Sequence, residues 1–418
     1  MSLLKKTAQK LTAYPKLKRA AKNCYAYAGN FLSDKKTDLA GLVQISSDST
    51  EHCFGYYDKS PWNRDGSCMI YLTAENAAGR YVSDGVTSVV LYDTVLKKER
   101  IAAQTHVWNS QQGSMLQWLG PDYASHILFN DFRDGRYCSV KHSAADGGET
   151  VLALPVYSVS SDGKTALSLD FSRLNTFRPG YGYCNTDDIT SDEKYPDTAC
   201  IQKLNIEDNT VCELPVTYKY LAQFMPHDGM SDSFHKINHI MLNPSATRFM
   251  FIHRWILNGV TRHRLMTCDT DGRNIYVLFD EGFVSHCSWK DDETIISYCC
   301  SEEYSECYHI LHDKSQKRET IGRGILTSDG HPTFSPDGRF IITDTYPDFK
   351  RKQALYLIRV SDGRVKKLGS VYSNIKYRNE TRCDLHPRWN HSSDEICIDA
   401  SPGQKRQVYK AAADKDFN

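Results

Sequence analysis

Four histidines in the second half of the chain share one local setting. Each is followed, three positions later, by a large apolar residue: His239-Ile240-Met241-Leu242, His286-Cys287-Ser288-Trp289, His331-Pro332-Thr333-Phe334 and His386-Pro387-Arg388-Trp389. A single imidazole in such a place is most often a satisfied structural residue. Four in register point further, because imidazole changes charge near neutral pH and its neutral form is a common metal ligand. Two chemistries suit them. Converging imidazoles can hold a divalent metal, with Cys383 and Asp384 close enough in sequence to His386 to complete its shell. They can also serve as general acid and base. Asp384 and His386 are two residues apart, so on a strand they face one way, while Cys383 faces the other unless a bulge re-aims it.

The polar residues around these histidines suit an anionic substrate. Ile252-His253-Arg254-Trp255 ends an apolar run on the repeat that carries His239, and Arg382 stands just before Cys383. The guanidinium fork matches a carboxylate bidentately. Earlier in the chain His52, Tyr56, Tyr57, Gln111 and Gln112 occupy the corresponding region, and Gly113 permits close backbone approach. His52, Tyr56, Gln112, His331 and Arg382 are therefore the predicted substrate contacts. Trp108, Trp118 and Trp255 could stack on sugar rings, although core packing is the plainer role for each.

The elements that must position these residues are legible from a repeated turn. Gly330 to Asp344 reads His, an apolar residue, Ser335-Pro336-Asp337-Gly338, then the alternating run Phe340, Ile342. Pro presets the first φ of the turn, Asp bonds back to local backbone, and Gly accepts a left-handed conformation. Six more copies occur, at 59–66, 117–122, 159–164, 242–248, 289–293 and 389–395, each followed by a β-type run. Most are about 40 to 60 residues apart, the period of propeller blades. Second hairpins at Asp271-Gly272 and Asp362-Gly363 give four strands per copy. The predicted fold is all-β: a seven-bladed β-propeller over 41–418 with an insertion near 173–235, preceded by a short basic helical arm over 1–40.

Composition bounds the function. Lys plus Arg and Asp plus Glu both count 51, so no basic excess points to nucleic acid. Fourteen scattered cysteines, two of them adjacent at Cys299-Cys300, read as buried thiols in a reducing compartment. No apolar run is long enough to span a membrane, and a secretory h-region is missing, so a cytoplasmic protein is expected. In the arm, Lys5, Lys6, Lys10, Lys16, Lys18, Arg19 and Lys22 alternate with leucines, and Pro15 is expected to break or kink the helix. Such an arm either docks on the propeller or makes a peripheral contact with an anionic membrane surface.

The turn resembles the TolB-type propeller repeat. More specifically, Asn109 to Trp118, His239 with Arg254, Ser285 to Trp289 and Asp384 to Trp389 resemble the oligogalacturonate lyase and ulvan lyase propellers, over roughly His52 to Tyr409. Those families cleave uronate-containing polysaccharides by β-elimination at a metal held by channel histidines. The resemblance implies His286 and His386 as ligands of a divalent metal, zinc or manganese, with Asp384 where the pectin-type enzymes place another histidine. It implies Arg254 as the group that neutralises the uronate carboxylate and His239 as the base. The partner would be an acidic oligo- or polysaccharide. The rival expectation is a non-catalytic carbohydrate-binding or scaffold propeller in intracellular surface-polysaccharide metabolism.

Overall fold

The structure is a computed structural model that describes residues 15–74, 77–79, 85–301 and 307–417. Seven antiparallel sheets, each of four strands, are arranged as the blades of a propeller. Blades 1 to 6 cover 52–105, 117–152, 158–213, 234–279, 282–321 and 333–372. Blade 7 takes three strands from 388–412, and Val43–Gln44 supplies its outer edge by pairing with Lys410 and Tyr409. An early segment of the chain thus closes the ring against a late one.

All seven predicted turns join the first and second strands of a blade. The tryptophan at the start of three of these turns also has a structural job. Indole Nε1 of Trp118 donates to the Pro61 carbonyl at 3.0 Å, that of Trp289 to Met241 at 2.9 Å, and that of Trp389 to Thr333 at 3.3 Å. In each case the acceptor lies on the preceding blade. The ring therefore fills the space between two sheets while its one polar atom ties them together.

Helix α1 (Pro15–Leu32) precedes the ring, and Pro15 starts it instead of breaking it, as expected where a missing N–H costs nothing. Lys5, Lys6 and Lys10 lie outside the described residues. Gly29 is packed so tightly that an added Cβ would sit 1.6 Å from the Phe349 carbonyl oxygen. Tyr25 packs on Phe349, Asn30 accepts from the Tyr372 hydroxyl, and Arg378 lies over Tyr27.

The stretch 173–235 holds the two outer strands of blade 3 besides irregular chain. Helix α2 (Phe171–Phe177) is capped by Asp170, whose carboxylate accepts from the amides of Ser172 and Arg173. Helix α3 (Tyr218–Gln223) is capped by Thr217. The buried Arg173 guanidinium donates to the carbonyls of His235, Thr190 and Glu193, which welds this stretch to blade 4. All fourteen cysteines are free thiols, and no described helix is long and apolar enough to cross a membrane.

Candidate functional site

The four histidines converge. Ring centroids are 5.1 Å apart for His239 and His286, 4.0 Å for His286 and His331, and 4.2 Å for His331 and His386. All four are buried. Strand alternation alone would not aim them inward. The innermost strand of blade 4 slips register between Asn238 and Met241, and that of blade 5 between Val284 and Cys287, so His239 and His286 sit in bulges. His239 and His386 also hold positive φ, +56° and +46°, a conformation a histidine adopts only where its surroundings impose it.

Three of the imidazoles are oriented by a bond at Nδ1. His331 Nδ1 lies 2.8 Å from Asp344, His386 Nδ1 lies 2.8 Å from the Gly55 carbonyl, and His286 Nδ1 lies 3.1 Å from Asp329. Such partners hold the proton on Nδ1 and leave the Nε2 lone pair for another acceptor of electrons. The Nε2 atoms of His331 and His386 are buried and have no partner. One ligand atom each from His331, Asp384 and His386 lies within 4.8 Å of the others. A set of two imidazoles and a carboxylate fits a divalent transition metal in its chemistry, with His331 binding through Nε2 in its neutral form.

Charge at the cluster is balanced locally. Arg382 donates bidentately to Asp384 at 2.5 and 2.7 Å and stacks over Tyr346 at 4.2 Å. Burial alone would raise the Asp384 carboxyl, but the Arg382 fork brings it below its ordinary value. Burial likewise pulls His331 down, and the Asp344 carboxylate overrides it to hold that imidazole above its usual range. Asp344 binds both blades, accepting from the amides of His331 at 2.7 Å and His386 at 3.2 Å.

Blade 1 sends two tyrosines across the channel. The Tyr56 hydroxyl lies 2.7 Å from His239 Nδ1 in blade 4, and Tyr57 donates to the Cys287 carbonyl of blade 5 at 2.9 Å while its ring packs on His286 and His331. The segment that carries them is pinned from blade 7. Asp399 accepts from the Phe54 amide at 3.0 Å and from Arg388 and Arg406 at 3.2 and 2.7 Å. Gly55, at φ +126°, lies so close to the Gln112 carbonyl that a Cβ would fall 2.6 Å from its oxygen.

Arg254 lies beside the histidines on the second strand of blade 4, opposite Lys236 and His263 in the sheet register. Its Nε is buried without a partner, and among the described residues no acidic side chain pairs with Arg254 or Lys236. Burial, then the neighbouring cationic groups, lowers the pKa of both. Burial also pushes His239 well below its ordinary value, aided by His286 and Arg254. Buried positive charge of this kind favours an anion.

The predicted residues divide accordingly. His239, His286, His331, His386, Asp384, Arg382, Arg254 and Tyr56 come together. Gln112 stands behind them: its amide donates to the Tyr157 hydroxyl at 2.7 Å, and that hydroxyl accepts from the His239 amide at 3.0 Å. Four expectations need correction. His331, expected as a substrate contact, groups with Asp384 and His386 as a candidate metal donor, and Arg382, also expected there, has its fork taken up by Asp384. Cys383 turns away into the apolar core beside Cys53 and Phe54, where burial pushes its thiol up to about 12, so it takes no place among the metal donors. His52 sits apart, bonded to Gln407 at 3.0 Å and edge-on to Tyr71. Sequence reasoning passed over Asp344, Asp329, Tyr346 and the crossing role of Tyr57. Only Asp344, at the end of the turn motif that opens with His331, carried a local signal.

Two cavities flank the cluster without containing it. A cleft of about 410 Å³ is lined by Arg19 of α1, Trp108, Asn109, Gly180, Lys376 and Arg378. A pit of about 370 Å³ draws on residues of all seven blades and reaches inward to Tyr57.

No family model and no curated protein matches the sequence. Among solved structures, an oligogalacturonate lyase in complex with manganese superposes with a TM-score of 0.66 at 13% identity, over 91% of this chain and 96% of that one. The oligogalacturonate lyase of Vibrio parahaemolyticus gives 0.64 at 11% identity, over 90% and 94%. Hydrazine synthase of Kuenenia stuttgartiensis reaches 0.51 at 10% identity, over 89% and 99%. Proteins named for such different reactions share the architecture, so the likeness establishes the fold and the site must argue the chemistry. In architecture this chain is a seven-bladed β-propeller of the form found in the oligogalacturonate lyases.

Proposed function

We propose that the chain is a lyase-like propeller that cleaves uronate-containing oligo- or polysaccharides by metal-assisted β-elimination. The observation that carries this reading is the pair of buried, unpartnered Nε2 atoms on His331 and His386 beside Asp384. These three residues would hold a divalent cation, with His286 next to them. When bound, such an ion acts as a Lewis acid on a substrate carboxylate.

The remaining roles belong to the chain itself. Arg254, already short of a counter-anion, binds the uronate carboxylate and offsets the charge that develops when the C5 proton leaves. His239 is neutral across the neutral range and accepts that proton. Tyr56, hydrogen-bonded to His239, supplies a proton to the departing glycosidic oxygen. Tyr57, packed on His286 and His331 and bonded to the Cys287 carbonyl, holds those imidazoles in place. The solved oligogalacturonate lyase in complex with manganese supports the choice of a transition metal.

Metal binding is the test of this assignment. Purified protein titrated with manganese or zinc is expected to bind one equivalent, and His331→Ala or His386→Ala to weaken binding by about 10- to 100-fold or more. Wild-type protein that binds no metal would remove the basis of the reading.

A further inference from the structure

We propose that α1 is a membrane-surface helix whose outward face seats the propeller on an anionic lipid bilayer. A helix on the surface of a globular protein ordinarily turns its apolar stripe inward. This one leaves its aliphatic stripe outward. Toward the propeller it presents Ala26, Gly29 and Asn30, flanked by Tyr25 on Phe349 and Tyr27 under Arg378, both half-exposed. On the opposite side Leu17, Ala21, Cys24, Ala28 and Phe31 recur at alternating intervals of four and three, all of them exposed. Leu32 extends the stripe. Phe31 is 86% exposed, Leu32 60% and Leu17 56%.

The charge of this segment selects its occupant, because the exposed Lys35 and Lys36 follow shortly after Phe31 and Leu32 at the end of the stripe. From 15 to 36 the sequence contains Lys16, Lys18, Arg19, Lys22, Lys35 and Lys36 against a single acid, Asp34. That acid is committed to Lys352 at 2.6 Å. A second copy of the same stripe would bring like charges together, whereas anionic headgroups would complement them while Phe31, Leu32 and Leu17 enter the acyl boundary. The helix has a rigid mount, because Gly29 meets the Phe349 carbonyl directly and Asn30 bonds Tyr372. Phe349 belongs to the loop that follows Tyr346, and Glu380, which pairs with Arg19 at 3.7 Å, lies just before Arg382. Docking through α1 therefore brings the histidine end of the propeller to the membrane surface.

The full chain, mixed with sedimenting vesicles of phosphatidylcholine alone or with one third phosphatidylglycerol, reports on this surface. Binding is expected to the anionic vesicles only, to weaken in high salt, and to fall about tenfold or more in Phe31→Glu/Leu32→Glu. Both positions are exposed, so an unchanged thermal midpoint verifies that the variant is folded. Absence of binding to anionic vesicles overturns the proposal, as does equal binding by the variant. Self-association of the wild type that the variant abolishes, without vesicle binding, would assign the face to a second copy and overturn it too.

Discussion

The hydroxyl of Tyr56, carried by blade 1, lies 2.7 Å from Nδ1 of His239 on blade 4. Neither residue is near the other in sequence, and the contact exists because a seven-membered ring of blades makes their inner edges face one another. A phenol and a neutral imidazole in contact can pass a proton in either direction. If His239 takes the proton and Tyr56 returns one, His239→Gln and Tyr56→Phe should each lower kcat by about 10²- to 10⁴-fold, with stoichiometric metal binding preserved. Steady-state kinetics with metal analysis on the same samples decides this, and a variant that keeps full kcat contradicts its assigned role.

Arg254 supplies a charge that, among the described residues, no carboxylate balances. Arg254→Lys keeps the charge but loses the fork, and Arg254→Ala loses both. The expected order of kcat/KM is wild type, then Lys, then Ala, with the Ala variant down by about 10²-fold or more. Equal losses for the two variants would show that charge is not what matters there.

The segment Phe54 to Tyr57 depends on Asp399, which is fully buried between Arg388 and Arg406. Asp399→Asn leaves two buried guanidinium groups without a counter-charge. A loss of about 3–5 kcal/mol of stability is expected from denaturant unfolding. A loss under about 1 kcal/mol would mean that the network contributes little to the fold.

Stability should fall on mild acidification. His235 Nδ1 lies 2.8 Å from His253 Nε2, and Arg264 donates to His253 Nδ1 at 3.0 Å. Burial pushes His235 down to about 4 and His253 well below its ordinary value. In the unfolded chain both titrate near about 6.5, so below that pH the unfolded state binds protons that the fold refuses. The contribution is intact above about pH 6.5 and is lost as pH falls toward 4, at about 1.4 kcal/mol per pH unit for each histidine. Urea midpoints measured across this window would fall steadily, and a flat profile would contradict the account.

Much of this architecture is legible in the chain because each blade repeats a local code. Ser335-Pro336-Asp337-Gly338 and its relatives are turns specified by residues in contact with one another, and His239, His286, His331 and His386 announce themselves by common spacing. What escapes a linear reading is long-range. The bulges that aim His239 and His286 inward, the crossing of Tyr56 and Tyr57, and the support of the Tyr56 segment by Asp399 all arise from contacts more than 180 residues apart or from register slips. Cys383 shows the opposite case, where strand alternation alone predicts that a tempting ligand points the wrong way. His52 misleads because it occupies the right strand of its blade yet finds Gln407 before the channel.

Elimination itself is the most direct test. Purified protein supplied with manganese or zinc is incubated with a panel of uronate oligosaccharides, and the ultraviolet absorbance of the unsaturated uronate product is followed. The account predicts a rise that requires metal and disappears in His386→Ala and His239→Gln. A silent panel from protein shown to carry its metal would contradict it.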